Sequence, residues 1–469
     1  MKLRLKKIKL DVYLTLIFTL ILVVFKKPEF APILILPILL FSYYKILIQR
    51  DITTVIILML SSRLIMGPFN PGSNLSFNIL NIICNYLPAL FIVAYSYLGV
   101  TKFDIIRLKS IKWTAVYIVF LLGFGLLLPR YTKVVIAPEI LPLVLFFLLV
   151  FIKAEQNIRY EYLLSFFRYT FIACIIVYLS PLFASEMSYL FSEGIIFKEK
   201  LARISLFVKR TIPRNTGFVF DFRIMGQLGS LYLLILYYLG KKKNLLDLLL
   251  LITVTIMTFS RGPILIIIFL LIATYGPQKL KFTKKGIAFG LGIFLLSISG
   301  SIYVYNKKSD VINQYITTYN PFTENNALSQ RGGFISYSMD YFHKNPLGQG
   351  LGYMSSEDAG HKIFTGYTRH KGRIIYTNYY YKVTDAYLAM SLAEKGIIGF
   401  VLFALSLIEI FYSNRNKVSL FFLLGLIINL IGTDIPKQGF YYFVIILIYY
   451  GLSQLNMKKI EPKKHEYIS

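Results

Sequence analysis

The sequence predicts an all-α, polytopic integral membrane protein with about 12–14 transmembrane helices and one large extracytoplasmic loop. Three observations carry that prediction. Hydrophobic residues make up 56% of the chain and its mean hydropathy is +0.62, far on the apolar side of a soluble domain. Apolar runs close to the ~20 residues that cross a bilayer recur from Asp11 to Gly451. The connections richest in lysine fall where the positive-inside rule places cytoplasmic loops.

Met1 to Leu10 is basic and precedes an apolar run, as a signal peptide does. No small-residue cleavage site follows, so Asp11 to Phe25 reads as the first span. Further spans begin near Ala31, Ile52, Leu75, Lys112, Lys133, Tyr162, Gly217, Leu245, Gly262, Gly286, Asp385, Val418 and Gly439. Threaded through Met1 to Leu10, Thr101 to Lys112, Gly240 to Asn244, Gln278 to Lys285, Ser413 to Lys417 and Met457 to Lys464, they leave both termini in the cytoplasm.

Leu245 to Tyr275 decides the parity. As one helix it would be about 45 Å long, against a hydrocarbon core of ~30 Å, and would put two Lys-rich loops on opposite sides. As two short spans meeting at Ser260-Arg261-Gly262-Pro263 it returns both loops to the cytoplasm. The chain therefore divides into N-terminal spans over 1–304, a long external loop over 305–384, and C-terminal spans with a cytoplasmic tail over 385–469.

The charge balance, 51 Lys and Arg against 23 Asp and Glu, gives a formal net charge of +28. The cations are scattered between apolar runs and form no basic domain, which argues against a nucleic-acid partner. The two cysteines, Cys84 and Cys174, sit inside apolar runs without metal-like spacing, so neither a disulfide framework nor a zinc site is expected.

Two external segments break the positive-inside pattern. Ser185 to Thr216 carries Lys198, Lys200, Arg203, Lys209, Arg210 and Arg214, and the long loop carries Arg331, Lys344, Lys362, Arg369, Lys371 and Arg373. Long loops translocate regardless of charge, which covers any one of these residues. Together they point to an anionic ligand on the outer face.

Arg261 is the sharpest single candidate. A guanidinium at membrane depth costs about 2.5–3.5 kcal/mol even on lenient scales, so it faces a wet cavity or a partner, or else snorkels from the interface. Arg214 and Arg223 flank Asp221 where the eighth span begins. Arg223 and Asp221 are two apart, so on a helix they do not face each other.

Arg331 opens a stretch in which Phe334, Ser338, Tyr341 and Phe342 have partial helical spacing, which predicts an amphipathic external helix. Asn345-Pro346-Leu347-Gly348-Gln349-Gly350 follows as a turn whose glycines permit close backbone approach. His343, His361 and His370 in the same loop match no metal pattern, so metal-independent chemistry without a cofactor is expected. Tyr376, Tyr379, Tyr380 and Tyr381 read either as an interfacial aromatic belt or as a sugar-stacking surface. Asp385 opens the twelfth span, where a carboxylate serves as an N-cap or as a general base.

The Ser260-Arg261-Gly262 break, the Arg331 to Pro346-Leu347-Gly348-Gln349-Gly350 stretch and the Asp385 to Glu394-x-Gly396-x-x-Gly399 helix resemble, in this order, the O-antigen polymerase and O-antigen ligase superfamily. The resemblance covers roughly Arg214 to Gly399. It implies a GT-C-like glycosyltransferase of the bacterial plasma membrane acting on the outer face on undecaprenyl-diphosphate-linked glycans. Ligases of that superfamily typically carry a His-Asn pair where this chain has Asp385-Ala386, so a polymerase of the Wzy type fits better than a ligase.

On that reading Asp385, Arg261 and Arg331 are the catalytic candidates, and Arg214, Arg223, His343 and Tyr387 the substrate-binding ones. The implied partners are the lipid-linked oligosaccharide, the bilayer, a chain-length regulator and a flippase. The competing classes are a lipid-linked oligosaccharide flippase or exporter, which would place cations deep in several spans, and a non-enzymatic scaffold.

Overall fold

In a computed structural model of the chain, the described residues are 10–25, 31–66, 83–98, 109–127, 133–179, 203–207, 210–213, 222–240, 244–258, 261–275, 330–354, 362–370, 373–380, 387–411, 416–431, 436 and 439–465. They are mainly helical. In chain order the helices are α1 (Leu10–Phe25), α2 (Ala31–Gln49), α3 (Ile52–Met66), α4 (Leu87–Leu98), α5 (Lys112–Leu127), α6 (Lys133–Phe151) and α7 (Tyr160–Leu179). They continue with α8 (Phe222–Tyr238), α9 (Leu245–Thr258), α10 (Arg261–Tyr275), α11 (Gln330–Lys344), α12 (Tyr387–Phe411), α13 (Lys417–Ile431) and α14 (Phe440–His465).

The two cationic segments expected on the outer side also contain strand, which the all-helical expectation did not include. Strand β1 (Arg203–Phe207) pairs antiparallel with β2 (Arg210–Pro213), and β3 (Lys362–His370) with β4 (Arg373–Tyr380). In β4 the run Arg-Ile-Ile-Tyr-Thr-Asn-Tyr-Tyr is rich in β-branched and aromatic residues, which suit a pleated surface. His370 pairs with Arg373, leaving Lys371 and Gly372 between them, and glycine is favoured in two-residue hairpin connections. Tyr376, Tyr379 and Tyr380 thus lie on a strand.

At the centre are two buried stretches: Tyr441–Leu452 of α14, apolar nearly all round, and Met225–Leu236 of α8, which carries Gln227 and Ser230 among its apolar residues. Around them α12 packs on α5, α11 and α13, while α10 packs on α8 and α13. The outward faces carry exposed large apolar side chains, among them Ile33, Leu40, Val119, Ile398 and Val401. Among the described residues Tyr387–Phe411 is the one helix long and apolar enough to cross a membrane, with shorter apolar helices of 10–17 residues beside it.

Several polar groups inside the bundle are paired between helices. Asp247 on α9 accepts from Arg168 Nε (2.8 Å) and Nη2 (2.7 Å), Tyr232 Oη (2.5 Å) and Asn244 Nδ2 (2.8 Å). Glu409 near the end of α12 accepts from the backbone N–H groups of Trp113 (2.9 Å) and Thr114 (2.8 Å), satisfying donors that the first turn of α5 leaves free. That contact sets α5 antiparallel to α12.

Candidate functional site

Helix directions bring the N-termini of α8 and α10 to one end of the bundle. Gly226 of α8 lies against Pro263 of α10, and Gly229 against Ile267, so these helices run parallel. Gly262 lies against Asn429 and Gly425 against Ile266, so α13 runs antiparallel to α10. Phe422 of α13 stacks on Tyr449 of α14, and Phe411 at the end of α12 packs on the same ring. The starts of α8 and α10 therefore share an end, where helix dipoles place partial positive charge and free N–H groups.

Glycine makes the convergence possible. A Cβ at Gly226 would overlap Pro263, and one at Gly262 would overlap the Asn429 side chain. Arg223 lies in the first turn of α8, three residues before Gly226, and Arg261 begins α10. The fold thus brings two of the expected anion-binding positions to one end. The expected break at Ser260-Arg261 falls between α9 and α10, since α9 ends at Thr258. The two form a helical hairpin, because Thr255 of α9 and Ile267 of α10 meet the same residue, Gly229.

At α12 the turn after α11 docks into the helix. Gly396 is non-helical, with φ 65° and ψ −172°, a region essentially restricted to glycine. A break there strands backbone groups, and the turn after α11 supplies partners. The N–H of Gln349 donates to the carbonyl of Ala393 (3.0 Å), that of Gly350 to Glu394 (3.0 Å), and that of Ile397 to the carbonyl of Pro346 (3.0 Å). Three of the backbone groups that the break leaves free are paired in this way.

Within the turn, Asn345 Nδ2 donates to the Gly348 carbonyl (2.8 Å), and the Glu394 carboxylate accepts from the Met354 N–H (2.8 Å). Gly348, at φ 101°, comes so close that a Cβ would stand 2.6 Å from the Glu394 carbonyl oxygen. The two glycine-bearing motifs, Pro346 to Gly350 and Glu394 to Gly399, are therefore two halves of one joint.

Next to the joint lies a fully buried charge cluster. Lys395, 0% exposed, forms an ion pair with Glu139 of α6, and its ammonium also donates to Tyr117 Oη (2.9 Å) and Tyr387 Oη (2.8 Å). Tyr387 donates in turn to Glu139 (2.6 Å), and the ammonium lies 4.8 Å from the Tyr387 ring centroid. Leaving one partner of such a pair without the other costs about 3–5 kcal/mol, so the cluster binds α5, α6 and α12 together.

The structure brings together some of the expected residues and not others. Arg331 is the second residue of α11, and His343 is exposed in the last turn of that helix, beside Phe342. Tyr387, expected to bind substrate, is 1% exposed and committed to Glu139 and Lys395, so its hydroxyl is internal wiring and not an open contact. Arg214 and Asp385 lie outside the described residues, although Asp385 precedes the start of α12 by two positions. The reading from sequence passed over Glu139 and Lys395. The signal was available, because an ionisable residue inside an apolar run demands a partner.

Other buried polar atoms are unpartnered. Both amide atoms of Gln227, one turn after Arg223, have no hydrogen-bond partner, and neither do the hydroxyls of Ser338 on α11 and Ser391 on α12. Among the described residues no group of three or more His, Cys, Asp or Glu side chains is arranged to hold a metal ion. No protein-family model matches this chain, and no curated protein matches it.

Proposed function

We propose that this chain is a multi-pass glycosyltransferase of the bacterial plasma membrane that joins undecaprenyl-diphosphate-linked oligosaccharide repeat units on the outer face. The observation that carries the reading is the joint between the Pro346–Gly350 turn and the Gly396 break. It unites two of the three stretches on which the resemblance rests, while Arg223 and Arg261 stand at the starts of α8 and α10, which share an end. The exposed apolar side chains on the outward faces of α2, α5 and α12 support placement in a bilayer.

In the reaction, an acceptor sugar hydroxyl attacks the anomeric carbon of the donor glycan. The new glycosidic bond forms as the bond to the diphosphate breaks, and the lipid diphosphate leaves with its charge. Asp385 takes the hydroxyl proton as general base. Arg261, Arg223 and Arg331 hold the diphosphate, for which the planar, permanently charged guanidinium gives two-point recognition. The N-termini of α8 and α10 at the same end add to the stabilisation of the leaving group.

Asp385→Asn tests this directly. Asparagine keeps the size and much of the capping ability of aspartate but lacks the basic oxygen. The variant is expected to reach wild-type membrane levels and to accumulate lipid-linked repeat units without polymer. Wild-type polymer from Asp385→Asn, together with loss of protein in Asp385→Ala, would reduce Asp385 to a helix cap.

A further inference from the structure

We propose that the buried Glu139–Lys395 pair positions the external half of the active site, an inference that rests on the glycosyl-transfer reading above. Glu394 and Lys395 are consecutive on α12 and reach in different directions. The Glu394 carboxylate holds the Met354 N–H and its carbonyl holds the Gly350 N–H, both on the segment that follows α11. The Lys395 ammonium is tied to Glu139 on α6, Tyr117 on α5 and Tyr387 at the start of α12. Immediately afterwards Gly396 leaves the helical region.

Two residues therefore couple the seat of the external turn to the helices beneath it. α11 carries Arg331 and His343, and the segment of α12 from Tyr387 to Lys395 continues from Asp385. The relative placement of these two pieces passes through the joint at 393–397. A bundle that needed only cohesion would be served as well by apolar side chains, because a buried ion pair is an expensive way to hold helices together. The lysine sits at the residue before the break, where its direction fixes the orientation of the kink. Glu139 and Lys395 act here as positioning residues and touch no substrate.

The test uses the full-length protein in nanodiscs and three variants: Lys395→Met, the neutral double variant Glu139→Gln/Lys395→Met, and the reversed pair Glu139→Lys/Lys395→Glu. The double variant leaves no unpaired charge, so membrane level and thermal midpoint are expected to stay close to wild type. Its turnover with lipid-linked repeat units is expected to fall roughly 10- to 100-fold in kcat with KM little changed, the signature of misplaced groups and intact binding. Hydrogen exchange of peptides covering 346–354 is expected to quicken, and the reversed pair is expected to recover part of both properties.

Wild-type kcat in a normally folded double variant overturns the proposal, whatever the exchange shows. Unchanged exchange at 346–354 in the double variant also overturns it. If the double variant does not fold, the reversed pair decides: folded protein with slow exchange at 346–354 and recovered turnover supports the proposal, while folded protein without turnover overturns it. A wild-type protein that joins no repeat units, combined with quickened exchange in the double variant, refutes the glycosyl-transfer reading and leaves the coupling of the turn to α6 standing.

Discussion

Arg261 heads α10 directly after the helix break, beside two glycines that let α8 and α13 approach. If it binds a diphosphate by two-point hydrogen bonding, charge alone is not enough. Arg261→Lys is therefore expected to impair polymer formation nearly as much as Arg261→Ala, a loss of at least about tenfold for either, measured as polymer per unit of membrane protein. Full activity of the lysine variant would leave Arg261 a point charge or a topological signal. Arg223 and Arg261 could be singled out from the sequence because each stands where an apolar run begins, a local feature. The Glu139–Lys395 pair was not, because its partners are 256 residues apart and only the tertiary fold makes them neighbours. For the same reason Tyr387 read as an open contact, although the fold supplies it with a buried carboxylate and ammonium.

The Gly396 break makes the sharpest demand on any element. Alanine there would have to hold φ 65° and ψ −172°, at a cost of roughly 1–3 kcal/mol, and its Cβ would overlap the backbone of Leu347. Gly396→Ala is expected to lower the thermal midpoint and to abolish polymerisation, while Gly123→Ala, where a Cβ meets nothing within 4 Å, should be silent in both. Equal behaviour of the two variants would remove the joint from the account. Helix existence was readable along most of the chain, since ~20-residue apolar runs are strong signals. The expected break between α9 and α10 and the amphipathic helix after Arg331 both appear. The spans expected from Leu75 and Gly286 begin outside the described residues, and the first of them is described from residue 83 onward. The β-hairpins were missed because their tyrosines and cations invited explanation as ligands or belts before strand pairing was considered. The docking of the Pro346 turn into α12 was hidden as well, because backbone hydrogen bonds leave no residue pattern beyond the glycines that permit them.

For the molecule as a whole, the glycosyl-transfer reading requires the sidedness expected from the lysine-rich connections. Cysteines at Lys242 and Lys284 should be shielded from an impermeant thiol reagent in intact cells, and one at Glu357 should be labelled. Labelling at Lys284 without labelling at Lys242 would mean that residues 245–275 cross once, contrary to the hairpin of α9 and α10. Sidedness alone does not separate a transferase from an exporter or a scaffold. The most direct measurement supplies purified protein in sealed liposomes with lipid-linked repeat units and follows both glycan length and the leaflet in which the units reside. The account predicts a ladder of longer lipid-linked glycans, formed without metal supplementation and absent with Asp385→Asn. Movement of unchanged repeat units across the bilayer with no ladder would contradict it and mark the protein as an exporter, and neither ladder nor movement would leave a scaffold.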